Sequence, residues 1–326
     1  MAILSTLLNA TNYRNPLLRT IIPAVGAAYA IQALVAIPSI LAESEKFYDL
    51  SGSVTYLSVT ALSLYLPTLR ARAATSVTKG IKPAFPSLAQ AFTKYGGSGG
   101  FNWRQLVLST AISIWATRLG TYLFKRVLDD GHDSRFDKIK RSPPRFLGAF
   151  FVQATWVSIC LMPVLAINSI PNNLLSSLPL IMASDIIGLS LFVGGLAFEV
   201  IADRQKNAWV QAKKRKEHDE EFLTSGLWSK SRHPNYFGEA TLWTGVATTA
   251  AGVLVSNVGL SAIGLNAVYG RILGIGLSFI SPAFTAFLLL KVSGVPLSET
   301  KYDKKFGDRE DYQKWKRETP VLIPKL

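Results

Sequence analysis

Long apolar runs separated by short polar stretches dominate the chain. A membrane helix needs about 20 mostly apolar residues to cross a hydrocarbon layer of roughly 30 Å. Seven segments meet or approach that length: Ile21 to Leu41, Gly52 to Leu69, Leu106 to Phe124, Phe146 to Asn168, Leu178 to Ala202, Phe237 to Val258 and Ile272 to Leu290. The second is the weakest, being short and rich in Ser and Thr. Pro23, Pro38, Pro163 and Pro282 fall inside these runs, where neighbouring helices can satisfy the carbonyls a proline frees. Gly188, Gly194, Gly195, Gly245, Gly274 and Gly276 suit close helix packing in lipid. The expected fold class is all-α: a polytopic membrane helical bundle of about seven transmembrane helices. Beyond the last run, alternating charges with spaced aromatics (Tyr302, Phe306, Tyr312, Trp315) predict one or two short interfacial helices.

Composition strengthens this picture. Of 326 residues, 49% are hydrophobic and 17% charged, against roughly 25% charged in a soluble domain. Net charge is +14, an excess compatible with nucleic acid, an anionic lipid surface or an anionic cofactor. The basic segments are short and tied to membrane spans, which argues against nucleic acid. Cys160 stands alone within an apolar run, so no disulfide framework is available.

Lys and Arg concentrate in Arg126 to Pro144, Asp203 to Tyr236 and Lys291 to Leu326, whereas Ile170 to Ser177 and Gly259 to Gly270 contain none. Seven spans would put the three basic segments on one, cytosolic, face with the C-terminus. Arg70, Arg72, Lys79, Lys82 and Lys94 disagree, falling in a connection placed on the other side. The N-terminal twenty residues carry Arg14 and Arg19 and no acid, as a mitochondrial presequence does, but an apolar span follows at once. The expected location is the endoplasmic reticulum membrane, with a mitochondrial membrane as the alternative.

Candidate chemistry sits towards the C-terminus. In LWSKSRHPNYFGEATLW, Leu227 to Trp243, a basic loop turns into an apolar helix. Pro234 disfavours helix at His233, and Asn235 is a candidate cap. Lys230, Arg232 and His233 at a helix N-terminus suit phosphate; the alternative is an interfacial turn with Arg232 snorkelling. Upstream, Glu199, Asp203 and Lys206 or Asn207 share one helix face. Carboxylates at that depth are costly unless paired, and Arg118 or Arg232 are their expected partners. Asp185 also lies within a span. The Gly-rich KYGGSGGF, Lys94 to Phe101, lacks the strand before it and the Lys-Ser/Thr after it that a phosphate loop needs. His132, His218 and His233 are scattered, so no metal centre is expected, and no GxSxG elbow supports a hydrolase.

RHPNYFGE at Arg232 to Glu239, preceded by FEVIADRQK and GLW and followed by SGVPLSE and the charged tail, resembles the steroid 5-alpha-reductase superfamily. More narrowly, with WATRLGTYLFKRVLDDGHDSRFD at Trp115 to Asp137, the chain resembles the branch catalogued as a domain of unknown function. The resemblance covers about Trp103 to Pro324, dividing the chain into N-terminal spans and a loop (1–102) and a reductase-like membrane domain with pocket and tail (103–326). It implies a pocket for NADPH lined by Glu199, Asp203, Lys206, Trp228, Arg232, His233, Asn235, Tyr236 and Glu239, with Tyr302 and nearby tail residues closing it. Tyr236 or Tyr302 would supply the proton in reduction of a carbon-carbon double bond in a lipid substrate drawn from the bilayer. More distant relatives with a similar His-Pro-x-Tyr element are S-adenosylmethionine-dependent methyltransferases, which sets the alternative reaction; a non-enzymatic lipid-binding protein is the third. Superfamily members position substrate with a Glu and a Tyr in the N-terminal half, for which Glu43, Glu45, Tyr56 and Tyr65 are the candidates.

Overall fold

The computed structural model describes residues 2–77, 84–86, 100–133, 135–264 and 267–325. Among these, the chain is helical throughout and forms no strand. In chain order the helices are α1 (Ala2–Ala10), α2 (Pro16–Leu41), α3 (Tyr48–Val77), α4 (Trp103–Asp130), α5 (Pro143–Ser169), α6 (Asn172–Leu175), α7 (Ala183–Lys214), α8 (Pro234–Leu254), α9 (Asn257–Ile263), α10 (Ala267–Phe287), α11 (Val295–Phe306) and α12 (Glu310–Glu318). A 3₁₀ turn, Gly226–Ser229, precedes α8, and a π turn, Leu288–Val292, follows α10.

Four of these helices are long and apolar enough to cross a membrane, or five if the bent pair α8 and α9 counts as one span. Each of the seven predicted segments contains a long helix, but α3 and α4 carry too much polar residue to meet the same test by composition. The run expected to reach Val258 breaks after Leu254 and turns by 84° into α9, where the Ser256 hydroxyl accepts the Gly259 N–H at 3.0 Å. The run expected from Leu178 becomes helical only at Ala183; the Arg104 guanidinium donates to the Pro179 carbonyl at 2.8 Å.

The chain divides into two compact units. The first comprises residues 1–182 and 250–280. Asn15 starts α2 by accepting the N–H groups of Leu17 (2.9 Å) and Leu18 (3.2 Å), and Asn102 with Gln105 forms a capping box on α4. Helix α5 is the central one, with 67% of its apolar window buried against 28% in α2. Polar side chains join the helices: Gln32 of α2 donates to Thr55 of α3 at 2.7 Å, and Asn168 of α5 reaches Ser63 of α3 at 2.9 Å and Ser109 of α4 at 3.3 Å. Such bonds hold helices where no hydrophobic driving force acts between them. At one end, Glu45 binds Lys140 at 3.0 Å and the Asp133 N–H at 3.0 Å, while Arg135 bridges Asp49 and Asp133. The Glu45 carboxyl is held below its usual range: burial raises it, but the Asp133 amide and Lys140 outweigh that. At the other end of α3, Arg70 donates to the carbonyls of Leu8, Thr11 and Arg19. Its charge is used inside the fold, which explains why it departs from the topology pattern; Lys79, Lys82 and Lys94 lie outside the described residues, as does most of the Gly-rich stretch.

The second unit comprises residues 183–249 and 281–326. The buried face of α7 is a heptad-like stripe: Asp185, Gly188, Phe192, Gly195, Glu199, Ala202 and Asp203. Gly188 and Gly195 pack backbone to backbone against Gly245 and Gly238 of α8. A Cβ on Gly238 would sit 2.6 Å from the Glu199 nitrogen and 2.8 Å from the Gly195 carbonyl oxygen. Two glycine pairs seven residues apart thus fix two antiparallel helices in close contact.

Candidate functional site

Helix α7 extends well beyond its apolar run, carrying Asp203 and Lys206 to the 3₁₀ turn and the start of α8. Gly226 takes φ +60°, and the Gln205 side chain accepts the Leu227 N–H at 2.9 Å. This turns Trp228 inward, where its indole N–H donates to the Ala202 carbonyl at 3.0 Å. The Lys206 ammonium lies 5.1 Å from the Trp228 ring centre, a cation–π arrangement.

Pro234 occupies the first position of α8, so the helix starts two residues earlier than capping by Asn235 requires. The carbonyl of His233 accepts from the amides of Tyr236 (3.1 Å) and Phe237 (3.2 Å), and Ser231 Oγ accepts the His233 N–H at 3.1 Å. Asn235 is therefore not a cap. Its side-chain N–H₂ donates to Asp203 at 3.4 Å, and its carbonyl oxygen is buried with no hydrogen-bond partner. Glu199 lies opposite Gly238, and Glu239 stands half-buried one turn beyond Asn235. The His233 and Tyr236 rings lie parallel, 1° between planes and 5.2 Å between centres. The Tyr236 ring rests on Gly294, where an added Cβ would fall 2.9 Å from it.

The expected pairing of Arg232 with Glu199 or Asp203 does not form. Arg232 pairs instead with Glu299 on α11, Nε to Oε1 at 2.9 Å, without the alignment of a hydrogen bond. Its Nη1 donates to the Lys316 carbonyl at 2.6 Å, and its backbone N–H to Pro320 at 2.9 Å. Arg232 is 11% exposed and is held by the protein itself, which replaces the snorkelling reading. Tyr302 packs on Phe306 in an aromatic cluster with Phe222, Tyr312 and Trp315. Of the sequence-predicted residues, Asp203, Lys206, Trp228, Arg232, His233, Asn235 and Tyr236 thus meet in a connected set. Glu299, which closes the set, was missed: its partners on the α8 turn, His233 and Arg232, lie 66 and 67 residues away and no local spacing announces it.

The N-terminal candidates do not converge. Glu45 is engaged by Lys140, Tyr56 packs edge-on against Trp115 and Trp156, Tyr65 packs edge-on against Phe101, and Glu43 lines a small cleft with His132. Among the described residues, no group of three His, Cys, Asp or Glu side chains has a metal-binding arrangement.

Burial pushes the His233 imidazole down to about 4 despite the opposing pull of Glu299, with Lys206 and Arg232 adding to the depression. An unfolded histidine binds its proton near 6.5. The contribution of this group to stability is therefore complete above about pH 6.5 and is lost as pH falls towards 4, by at most about 3 kcal/mol. Comparing thermal stability of wild type and His233→Gln across that window tests this. The wild-type curve should fall more steeply; parallel curves would mean that His233 is not buried neutral.

Residues 68–319 match the model of a family described as a protein of unknown function, DUF1295. The chain belongs to the DUF1295 family. The match takes in α4 through α12 and the whole of the connected set around α8, so this turn is part of the DUF1295 region. No curated protein matches the chain significantly, and no solved structure does.

Proposed function

We propose that this DUF1295 protein is a membrane reductase of steroid 5-alpha-reductase type, which binds NADPH at the first turn of α8 and reduces a carbon-carbon double bond in a lipid. The observation that carries the reading is Asn235: half of its carboxamide is spent on Asp203, and the other half is a buried acceptor without a donor. A buried unpaired acceptor costs about 1–3 kcal/mol, and an amide or hydroxyl of a bound nucleotide would remove that cost. The surroundings fit such a ligand, since Lys206, Arg232 and Lys316 bring cations to an N-terminal helix turn.

Bound NADPH would supply the hydride. The residues of this chain would do the rest: Asn235 and Asp203 orient the ligand, Lys206 and Arg232 face its phosphates, and the tail excludes water. Tyr236 would donate the proton, held in place by the parallel His233 ring and by Gly294. Thermal stability of the purified protein distinguishes this reading from methyl transfer, because a ligand that binds only the native state raises stability. NADPH should stabilise and S-adenosylmethionine should not; the reverse would assign the turn to a methyltransferase, and no effect of either at millimolar concentration would favour a lipid-binding role.

The reading includes seven crossings. Helix α3 runs beside α2 from the Glu45 end to the α1–α2 turn held by Arg70, and α4 returns beside α3 from Ser109 to Arg126. If α2 crosses, both companions do, and Thr55, Ser63 and Ser109 meet Gln32 of α2 and Asn168 of α5 rather than lipid. The basic segments then share the cytosolic face of the endoplasmic reticulum membrane. Tags after residue 326 and within 213–221 should be accessible from the same side of sealed vesicles; protection of either one contradicts the topology.

A further inference from the structure

One carboxylate on α11 meets cations from both the α8 turn and α12. Glu299 lies on the second turn of α11 and is 20% exposed. Arg232 Nε stands 2.9 Å from its Oε1, His233 Nε2 3.4 Å from the same atom, and Lys316 Nζ 3.5 Å from its Oε2. One turn on, Asp303 accepts from the Tyr312 hydroxyl at 2.8 Å and from Lys316 at 2.5 and 2.7 Å. Two carboxylates four residues apart on α11 therefore hold α12, and one of them also holds the α8 turn.

Beyond α12 the chain continues as an extended strap along residues 230–232. The Arg232 N–H donates to Pro320, the Ser231 hydroxyl to Leu322 at 2.8 Å, and the Lys325 N–H back to Lys230 at 2.9 Å. The strap has little apolar cover of its own, since Val321 and Ile323 are exposed. Backbone and hydroxyl contacts to residues 230–232 fix its position, and the Arg232 and Lys316 side chains on either side of it meet on Glu299.

We propose that Glu299 is a positioning residue that docks the C-terminal strap onto the Arg232–Tyr236 turn. It acts through Arg232 and Lys316: their charges meet on its two oxygens, and the Arg232 backbone and guanidinium then grip Pro320 and the Lys316 carbonyl. Neither cation has another carboxylate that joins α11 to the turn, because Asp303 engages Lys316 and Tyr312 within the tail. For cofactor retention the inference rests on the NADPH reading above; the docking itself does not.

The test uses full-length protein in detergent or nanodiscs, with peptide-resolved hydrogen exchange. Glu299→Gln keeps the shape and removes the charge. Exchange in the strap and at Arg232 should accelerate by about tenfold or more, as expected when a low-stability segment loses charge-assisted contacts, while amides inside α8 keep the wild-type rate. Glu299→Asp should recover part of the protection. Glu221→Gln, which breaks an exposed tail contact to Lys305, should leave the strap unchanged. Wild-type strap exchange in Glu299→Gln overturns the proposal; if that variant does not fold, Lys316→Gln takes its place, with the same acceleration supporting the proposal and wild-type exchange overturning it. NADPH titration of the same proteins separates the two claims. A released strap with an NADPH affinity about tenfold weaker supports both, and a released strap in a protein whose wild type binds no NADPH leaves Glu299 as the docking residue and removes only the cofactor assignment.

Discussion

Gly238→Ala is expected to disrupt the second unit, although it adds a single methyl group. The new carbon would lie 2.6 Å from the Glu199 nitrogen and 2.8 Å from the Gly195 carbonyl oxygen, both backbone atoms of α7. Neither can rotate away, so the two helices must separate along a contact fixed by glycine at both ends. Overpacking a tight contact costs about 1–3 kcal/mol and occasionally more, and here the strain falls beside Asp203 and Asn235. Monodisperse yield and thermal stability should both drop, and Gly238→Leu should not give folded protein. Gly194→Ala is the internal control, since nothing lies within 4 Å of its added carbon; it should be neutral or stabilising by up to about 1 kcal/mol. Equal behaviour of the two alanine variants would show that the glycine pairs do not set the distance between α7 and α8.

Removing everything after Arg309 should abolish NADPH binding while leaving the protein in the membrane. The deletion takes away α12 and the strap, and with them the Lys316 and Pro320 carbonyls that hold Arg232. It also uncovers Phe222 and Phe306, which now pack with Tyr312 and Trp315. Losing one charge-assisted contact at about 1.5–3 kcal/mol and one backbone hydrogen bond at about 0.5–1.5 kcal/mol predicts binding weaker by about thirtyfold or more. Insertion should persist because the last apolar helix ends before the deletion. Wild-type affinity in the truncated protein would reduce the tail to a surface anchor.

The helical bundle was legible because long apolar runs leave few other structures open to a chain. The number of crossings was less so. Helices α3 and α4 carry the Ser, Thr and Gln side chains that bind Gln32, Asn168 and the carbonyls of Ile167 and Ile170, so their hydropathy understates how deeply they pack. The bend after Leu254 had a signal, Ser256 three residues before Gly259, which was hidden inside an apolar run. At the site, the residues from Trp228 to Tyr236 fall together because they are close in sequence. Asn235 was misread as a cap because its side chain suits that role, yet the helix starts at Pro234, two residues earlier than such a cap would place it. Gly238 was overlooked because only its partner Gly195, on another helix, gives it meaning. Arg232 and Glu299 illustrate the same limit for charge: sequence shows that an arginine is present and not which carboxylate it meets.

The central claim, that this turn serves reduction of a lipid double bond, is tested most directly by comparing the lipids of cells with and without the protein by mass spectrometry. The account predicts that its loss accumulates a lipid lighter by two hydrogens than the species that disappears, and that wild-type protein restores the heavier one while Tyr236→Phe does not. A pair of lipids differing by one methylene instead, or no change in any lipid class, would contradict it.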